Sequence, residues 1–219
     1  RACIIGTAET AHRRNWPGRT ERGLCAEAAG IAIADAGLRR EDIDGIITFG
    51  GPSFPGPIAE YIGIRPIHYA AGVGMMGSSA GTALATAAAV VDAGIARYVL
   101  CVFGGGRDVD WLQSPFGGQG APNTRSEFEE PYGMAVAANT MYGLLYTRHM
   151  FEYGTKPEQL AKLAVSERFN TLKNPRSAFA EAGPITVDDV LNSRYVNYPI
   201  HLLETVMPVA GAIAYIVSS

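Results

Sequence analysis

Cysteine is scarce in this 219-residue sequence: Cys3, Cys25 and Cys101 are the only three. Each lies inside an apolar segment, and none is paired at metal-ligand spacing. That excludes a disulfide-stapled scaffold and a zinc module, and leaves buried reduced thiols as the expectation. Histidine is equally sparse, and His12, His68 and His201 share no motif, so metal ligation has no support. Charge is sparse too, at 18% of residues with a formal net charge of -3 and no dense Lys/Arg block. Nothing draws the chain to nucleic acid, which is not expected as a partner. The longest uncharged stretch, Pro66 to Val91, is broken by Gly72, Gly74, Gly77, Gly81, Ser78 and Ser79, too polar for a membrane span and better read as buried core. No basic-then-apolar signal precedes Cys3, and a start at Arg1 suggests a trimmed chain; a cytoplasmic protein is expected. Repeats, low-complexity tracts and flexible linkers are absent as well.

What is present is a somewhat apolar composition, 47% hydrophobic, which suits buried parallel strands and an extensive subunit interface; a homodimer is expected. Ala2–Gly6 reads as a first strand and Thr20–Gly37 as a helix closed by Gly. Ile43–Gly50 reads as a second strand ended by Gly50-Gly51-Pro52, Pro57–Ile62 as a short helix and Ile67–Ala70 as a weaker third strand. Ser79–Asp92 is predicted as helix, and Tyr98–Phe103 as a strand before Gly104-Gly105-Gly106. This alternation indicates an α/β fold with a mainly parallel sheet. From residue 107 to about 199 the texture changes. Pro, Gly and Tyr rise, and helical patterns at Met134–Tyr153 and Pro157–Lys173 predict an insertion over the sheet. Thr186–Ser193 starts like a capped helix, with Asp188 and Asp189 in its first turn. Ala210–Val217 resumes a buried strand. The expected organisation is therefore residues 1–106 as an α/β domain, 107–199 as the insertion and 200–219 as a return to the first domain.

The chemically informative stretch runs from Gly72 to Val91. Its helix is small-residue and apolar on all sides, implying burial among other helices. Ser78 and Ser79 stand at its N-terminus, where unpaired backbone N–H groups and the positive dipole end favour an anionic oxygen or sulfur. Simple N-capping by either serine is the competing reading. Gly72-x-Gly74-x-x-Gly77 also fits the dinucleotide fingerprint. That pattern should follow a strong first strand and be succeeded by an acidic residue placed for ribose, and neither holds.

Ser78-Ser79-Ala80-Gly81-Thr82-Ala83-Leu84 resembles the Cys-x-x-Gly helix start of thiolases, continued by the Ser/Thr-Ala-Leu of the branch of sterol carrier protein-x thiolase, with serine at the cysteine position. His149-Met150-Phe151-Glu152-Tyr153-Gly154-Thr155-Lys156 is similar to that family's insertion segment. Pro208-Val209-Ala210-Gly211-Ala212 is similar to its Pro-x-Asp-Gly-Ala, with Ala210 in place of the aspartate. The resemblance implies a thiolase-like layered fold, a mainly parallel sheet around a buried central helix with a helical insertion domain, of which this chain is the N-terminal half. It further implies action on carbon–carbon bonds of acyl-CoA thioesters, with coenzyme A entering as part of the substrate and no covalently bound cofactor.

Serine at position 78 changes the chemistry. Thiolysis passes through an acyl-enzyme on a good nucleophile, and a serine hydroxyl barely ionises where a thiol does so by a few per cent. Retro-aldol cleavage of a 3-hydroxyacyl-CoA requires only a base for the hydroxyl and donors for the departing enolate. The family includes thiolase-like aldolases of steroid side-chain degradation, described as lipid-transfer proteins, that work with a small OB-fold partner. A lyase is therefore favoured, with a thiolytic acyltransferase and a non-catalytic acyl-CoA-binding or scaffold subunit as alternatives. The candidate site comprises Ser78, with Met76, Gly77 and Ser79 around it as substrate-binding residues. His149 is a candidate acid/base weighed against ordinary packing. Arg148, Arg168 and Lys173 are candidates for CoA phosphates, weighed against solvated helix faces. Tyr132, Tyr142, Tyr146 and Tyr153 could wall an acyl tunnel, weighed against packing. Gly104-Gly105-Gly106-Arg107-Asp108 follows a strand's carboxyl end and could shape the site's floor.

Overall fold

The computed structural model describes residues 1–49, 55–105 and 138–219. The Gly50-Gly51-Pro52 punctuation, Gly106-Arg107-Asp108, Tyr132 and the first four residues of the helix expected from Met134 lie outside them. The chain divides into two compact units, Arg1–Arg107 with Val209–Ser219, and Asp108–Pro208.

The first unit is built on a five-stranded sheet in the order β1-β7-β4-β2-β3. Its strands are β1 (Cys3–Glu9), β2 (Gly45–Phe49), β3 (Tyr69–Val73), β4 (Val99–Gly105) and β7 (Gly211–Ser218), and its helices are α1 (Glu21–Asp35), α2 (Pro55–Ile62) and α3 (Ser79–Asp92). β2 pairs in parallel with β3 and β4, whereas β7 runs antiparallel to both of its neighbours, β1 and β4. Four strands thus share one direction and β7 alone is reversed, because it enters beside the carboxyl end of β4, where Gly211 pairs with Gly105.

β4 shows why the sheet is buried on both faces. Along it Leu100 and Val102 join a core with Leu24, Ala28 and Ala32 of α1, while Val99, Cys101 and Phe103 join a core with Ala83, Ala87 and Val90 of α3. A continuous apolar run is what a strand covered twice needs. α1 begins at Thr20, whose hydroxyl accepts the Gly23 N–H at 3.1 Å. α3 spans the residues the sequence predicts. It buries Ser79, Ala83, Ala87, Val90 and Val91, while Gly81, Leu84, Ala85 and Ala89 remain open. Burial of α3 is therefore met on its sheet face in these 219 residues.

The second unit contains α4 (Ala138–Tyr153), α5 (Pro157–Thr171), α6 (Val187–Asn192) and a two-stranded hairpin, β5 (Tyr195–Asn197) with β6 (Ile200–His201). Ala161 and Ala164 of α5 pack with Val190 of α6 in a small apolar cluster of their own. α6 carries the expected start: the Thr186 hydroxyl accepts the Asp189 N–H at 3.1 Å and the Asp189 carboxylate accepts the Thr186 N–H at 2.8 Å. Among the described residues no helix is long and apolar enough to cross a membrane.

Candidate active site

β3 ends at Val73, and a single 3-10 turn, Met76–Ser78, leads into α3. The two serines treat this turn differently. Ser79 is fully buried, and its hydroxyl accepts the Met75 N–H at 2.9 Å. Ser78 is exposed and donates its hydroxyl to the Met75 carbonyl at 2.8 Å, the same oxygen that receives the Ser78 N–H at 3.1 Å. Both backbone groups of Met75 are thereby held by the serines that follow it. Ser78 occupies the N-cap position at φ -90 and ψ 1 and makes no side-chain capping bond. Capping is thus not the role of its hydroxyl. Gly77 is exposed beside it, and a Cβ there would meet nothing within 4 Å. Met76 contributes its backbone to the turn.

Tyr215 of β7 donates to the Ala80 carbonyl at 2.7 Å, tying the mouth of α3 to the sheet. Beneath it the Cys101 thiol lies 4.0 Å from the Ala83 carbonyl, and burial pushes its pKa up to about 12. A thiol held so firmly protonated is packing material and not a nucleophile.

In the second unit a cavity of about 450 Å³ is lined by Tyr142, Leu145, Tyr146, His149, Leu160 and Glu204 among others. His149 Nδ1 lies 2.8 Å from the Thr155 hydroxyl, and its ring packs on Tyr153 at 4.7 Å between centroids. Burial, reinforced by the carboxylates of Glu204 and Glu158, raises the pKa of Tyr146, so its phenol stays protonated at the cavity wall. Two of the tyrosines singled out in the sequence thus meet here. Glu204, which no motif announced, meets them; its carboxylate also accepts the His201 N–H at 2.6 Å. The three candidate phosphate ligands lie elsewhere. Arg148 pairs with Glu152 one helical turn away. Arg168 donates to the Gly183 carbonyl at 3.1 Å and lies 4.6 Å over the Phe179 ring, and the Lys173 ammonium sits 3.9 Å from the Phe169 centroid. None of these three is among the residues lining the cavity.

No family model matches the sequence. The chain is 34% identical, over its whole length and 56% of the relative's, to the steroid side-chain-cleaving aldolase of Thermomonospora curvata. It is 29% identical, over its whole length and 57% of the relative's, to the 17-hydroxy-3-oxo-4-pregnene-20-carboxyl-CoA lyase of Mycobacterium tuberculosis. It superposes with a TM-score of 0.86 on the solved Ltp2-ChsH2(DUF35) aldolase, at 32% identity, covering all of this chain and 55% of that one. The chain spans about half the length of the relatives it matches. The chain is thiolase-like and corresponds to the N-terminal half of proteins such as the steroid side-chain aldolases, with similarity over a shorter stretch to a sterol carrier protein.

Proposed function

We propose that the protein to which this chain belongs is a carbon–carbon lyase that cleaves 3-hydroxyacyl-CoA thioesters by a retro-aldol reaction, with a steroid side chain as the acyl group. The observation that carries this reading is Ser78: an exposed hydroxyl at the mouth of α3, already donating to a backbone carbonyl, stands where acyl transfer would need an ionisable thiol. A hydroxyl in that state is a poor nucleophile, but retro-aldol cleavage forms no covalent intermediate. The positive end of α3 would favour the thioester oxygen as it gains enolate charge, with Ser78 and Gly77 beside its approach. The relatives named as an aldolase and a CoA lyase support the same chemistry.

Coenzyme A enters as part of the substrate in this reading, and no separate cofactor takes part. Tyr142, Tyr146 and His149, which line the cavity of the second unit, and Arg148, Arg168 and Lys173 remain candidates for substrate contact. A homodimer and a small OB-fold partner complete the assembly; the two-component name of the solved aldolase supports the partner. The reaction is placed in the cytoplasm, consistent with three unpaired thiols.

The test incubates the full-length protein, alone and with its partner, with a 3-hydroxyacyl-CoA, and separately with a 3-ketoacyl-CoA plus free CoA. Cleavage of the hydroxyacyl thioester alone is expected. Thiolysis of the ketoacyl thioester would overturn the reading in favour of an acyltransferase, and cleavage of neither would leave a binding subunit.

A further inference from the structure

The cavity of the second unit combines aromatic rings with an anion. Tyr142, Leu145, Tyr146 and His149 line it from α4, and positions three and four apart put these four side chains on one face of the helix. Leu160 of α5 and the segment 200–206, which carries Ile200, Glu204 and Val206, supply further lining. Two bonds fix the polar groups. The Tyr146 phenol donates to the Lys156 carbonyl, just ahead of α5, at 3.4 Å, and the Glu204 carboxylate accepts the His201 N–H at 2.6 Å.

The charge in this lining has no counterpart. Burial first, and then the carboxylates of Glu204 and Glu158, raise the Tyr146 pKa, so the field of both anions reaches the phenol. Neither glutamate forms an ion pair among the described residues, and no lysine or arginine lines the cavity. Arg148, the one arginine of α4, is engaged by Glu152. Such a site repels a phosphate and attracts a cation. Its exposed margin is apolar: Tyr142, Leu145 and Val206 are 62%, 63% and 89% exposed. A charged centre with apolar side chains open beside it is the composition of a protein–protein anchor, in which the surrounding contacts exclude water from the polar one. A small free amine would leave that margin wet, whereas a side chain delivered on a polypeptide covers it.

We propose that this cavity receives an arginine side chain of a partner protein, with the guanidinium at Glu204 and the partner's backbone over Tyr142, Leu145 and Val206. Arginine suits these walls better than lysine. Its planar guanidinium stacks on tyrosine faces and meets a carboxylate through parallel N–H groups, and it is more weakly hydrated than an ammonium. A volume of about 450 Å³ accommodates the whole side chain, and the methylene stem finds Leu160 and Ile200 among the lining residues. Docking is separable from the reaction, because binding is read without turnover and either can fail alone.

The experiment titrates the full-length protein by calorimetry with a doubly capped glycine–arginine–glycine peptide, with the same peptide carrying citrulline, which keeps the shape of arginine without its charge, and with butylguanidinium. The arginine peptide is expected to bind about tenfold more tightly than the citrulline peptide. Glu204→Gln keeps an oxygen for the His201 N–H and removes the charge, so it should abolish that preference with the thermal midpoint unchanged. Tyr142→Leu keeps the margin apolar and removes the ring, and should weaken the arginine peptide about threefold. Failure of the arginine peptide to bind, equal binding of the two peptides, or a preference that survives Glu204→Gln overturns the proposal. Butylguanidinium binding as tightly as the peptide assigns the cavity to a free cation and overturns it too. So does displacement of the arginine peptide by a 3-hydroxyacyl-CoA, which would make the cavity part of the substrate site.

Discussion

The phenol of Tyr215 donates to the carbonyl of Ala80 at 2.7 Å, so the reversed strand β7 holds the first turn of α3 in place. Burial, with the neighbouring Cys101 adding to it, raises the Tyr215 pKa and keeps the donor protonated. Tyr215→Phe should lower stability by about 1 kcal/mol, the usual net worth of one such bond. It would be read as a lower urea midpoint at unchanged slope; an unchanged midpoint would show that the turn holds itself.

Gly104 is a second point of close contact. A Cβ there would lie 2.6 Å from the Cys25 sulfur and 3.1 Å from Ala212 Cβ. Gly104→Ala should therefore cost about 1–3 kcal/mol by overpacking. Cys25→Ala removes the sulfur, so the double variant should be less destabilised than the sum of the two single changes. Strict additivity in urea unfolding would contradict the geometry.

The thiols give a pH dependence. Burial raises Cys25 and Cys101 from 9.0 to about 12, Cys25 with help from Glu21. In the unfolded chain both release their protons near the ordinary value, so between about pH 9 and 12 the folded state binds more protons and stability must fall as pH rises. Urea midpoints at pH 8, 9.5 and 10.5 should decrease in that order, and a flat series would refute the burial. At pH 8 a thiol reagent should titrate one group in the native chain, the exposed Cys3, and three after denaturation.

Position 78 separates reaction chemistry from structure. The Ser78 hydroxyl is exposed and bonds only a turn carbonyl among the described residues, so Ser78→Ala should change stability by no more than about 1 kcal/mol. In the full-length protein, Ser78→Cys should form a covalent acyl-enzyme with an acyl-CoA, visible as a mass increase that the parent does not show. Absence of acylation in the folded variant would mean that the mouth of α3 does not receive the thioester.

Much of the first unit was legible in the sequence because its signals are local. α3 begins at Gly77-Ser78-Ser79 and ends before Gly94 at φ 68, and those punctuating residues set both of its ends. The core of β4 follows directly from its continuous apolar run. The reversal of β7 was not legible, since direction depends on which side of the sheet the chain returns to, and residues within the strand carry no trace of that. The hairpin of β5 and β6 was missed because strands of 3 and 2 residues are too short to show a period. The open face of α3 was hidden by its own uniformity, as alanine and glycine look alike on covered and uncovered sides. Glu204 was silent because its setting comes from α4, some fifty residues earlier in the chain.

Gly105, the last residue of β4, pairs with Gly211, the first residue of β7. The hundred or so intervening residues therefore depart and come back at two neighbouring points on antiparallel strands, the geometry that a tight hairpin closes. Because the cost of closing such a connection grows only slowly with its length, the sheet can tolerate wide variation in what is carried there. Evolution could thus exchange or resize the inserted body without altering a single strand pairing in the scaffold.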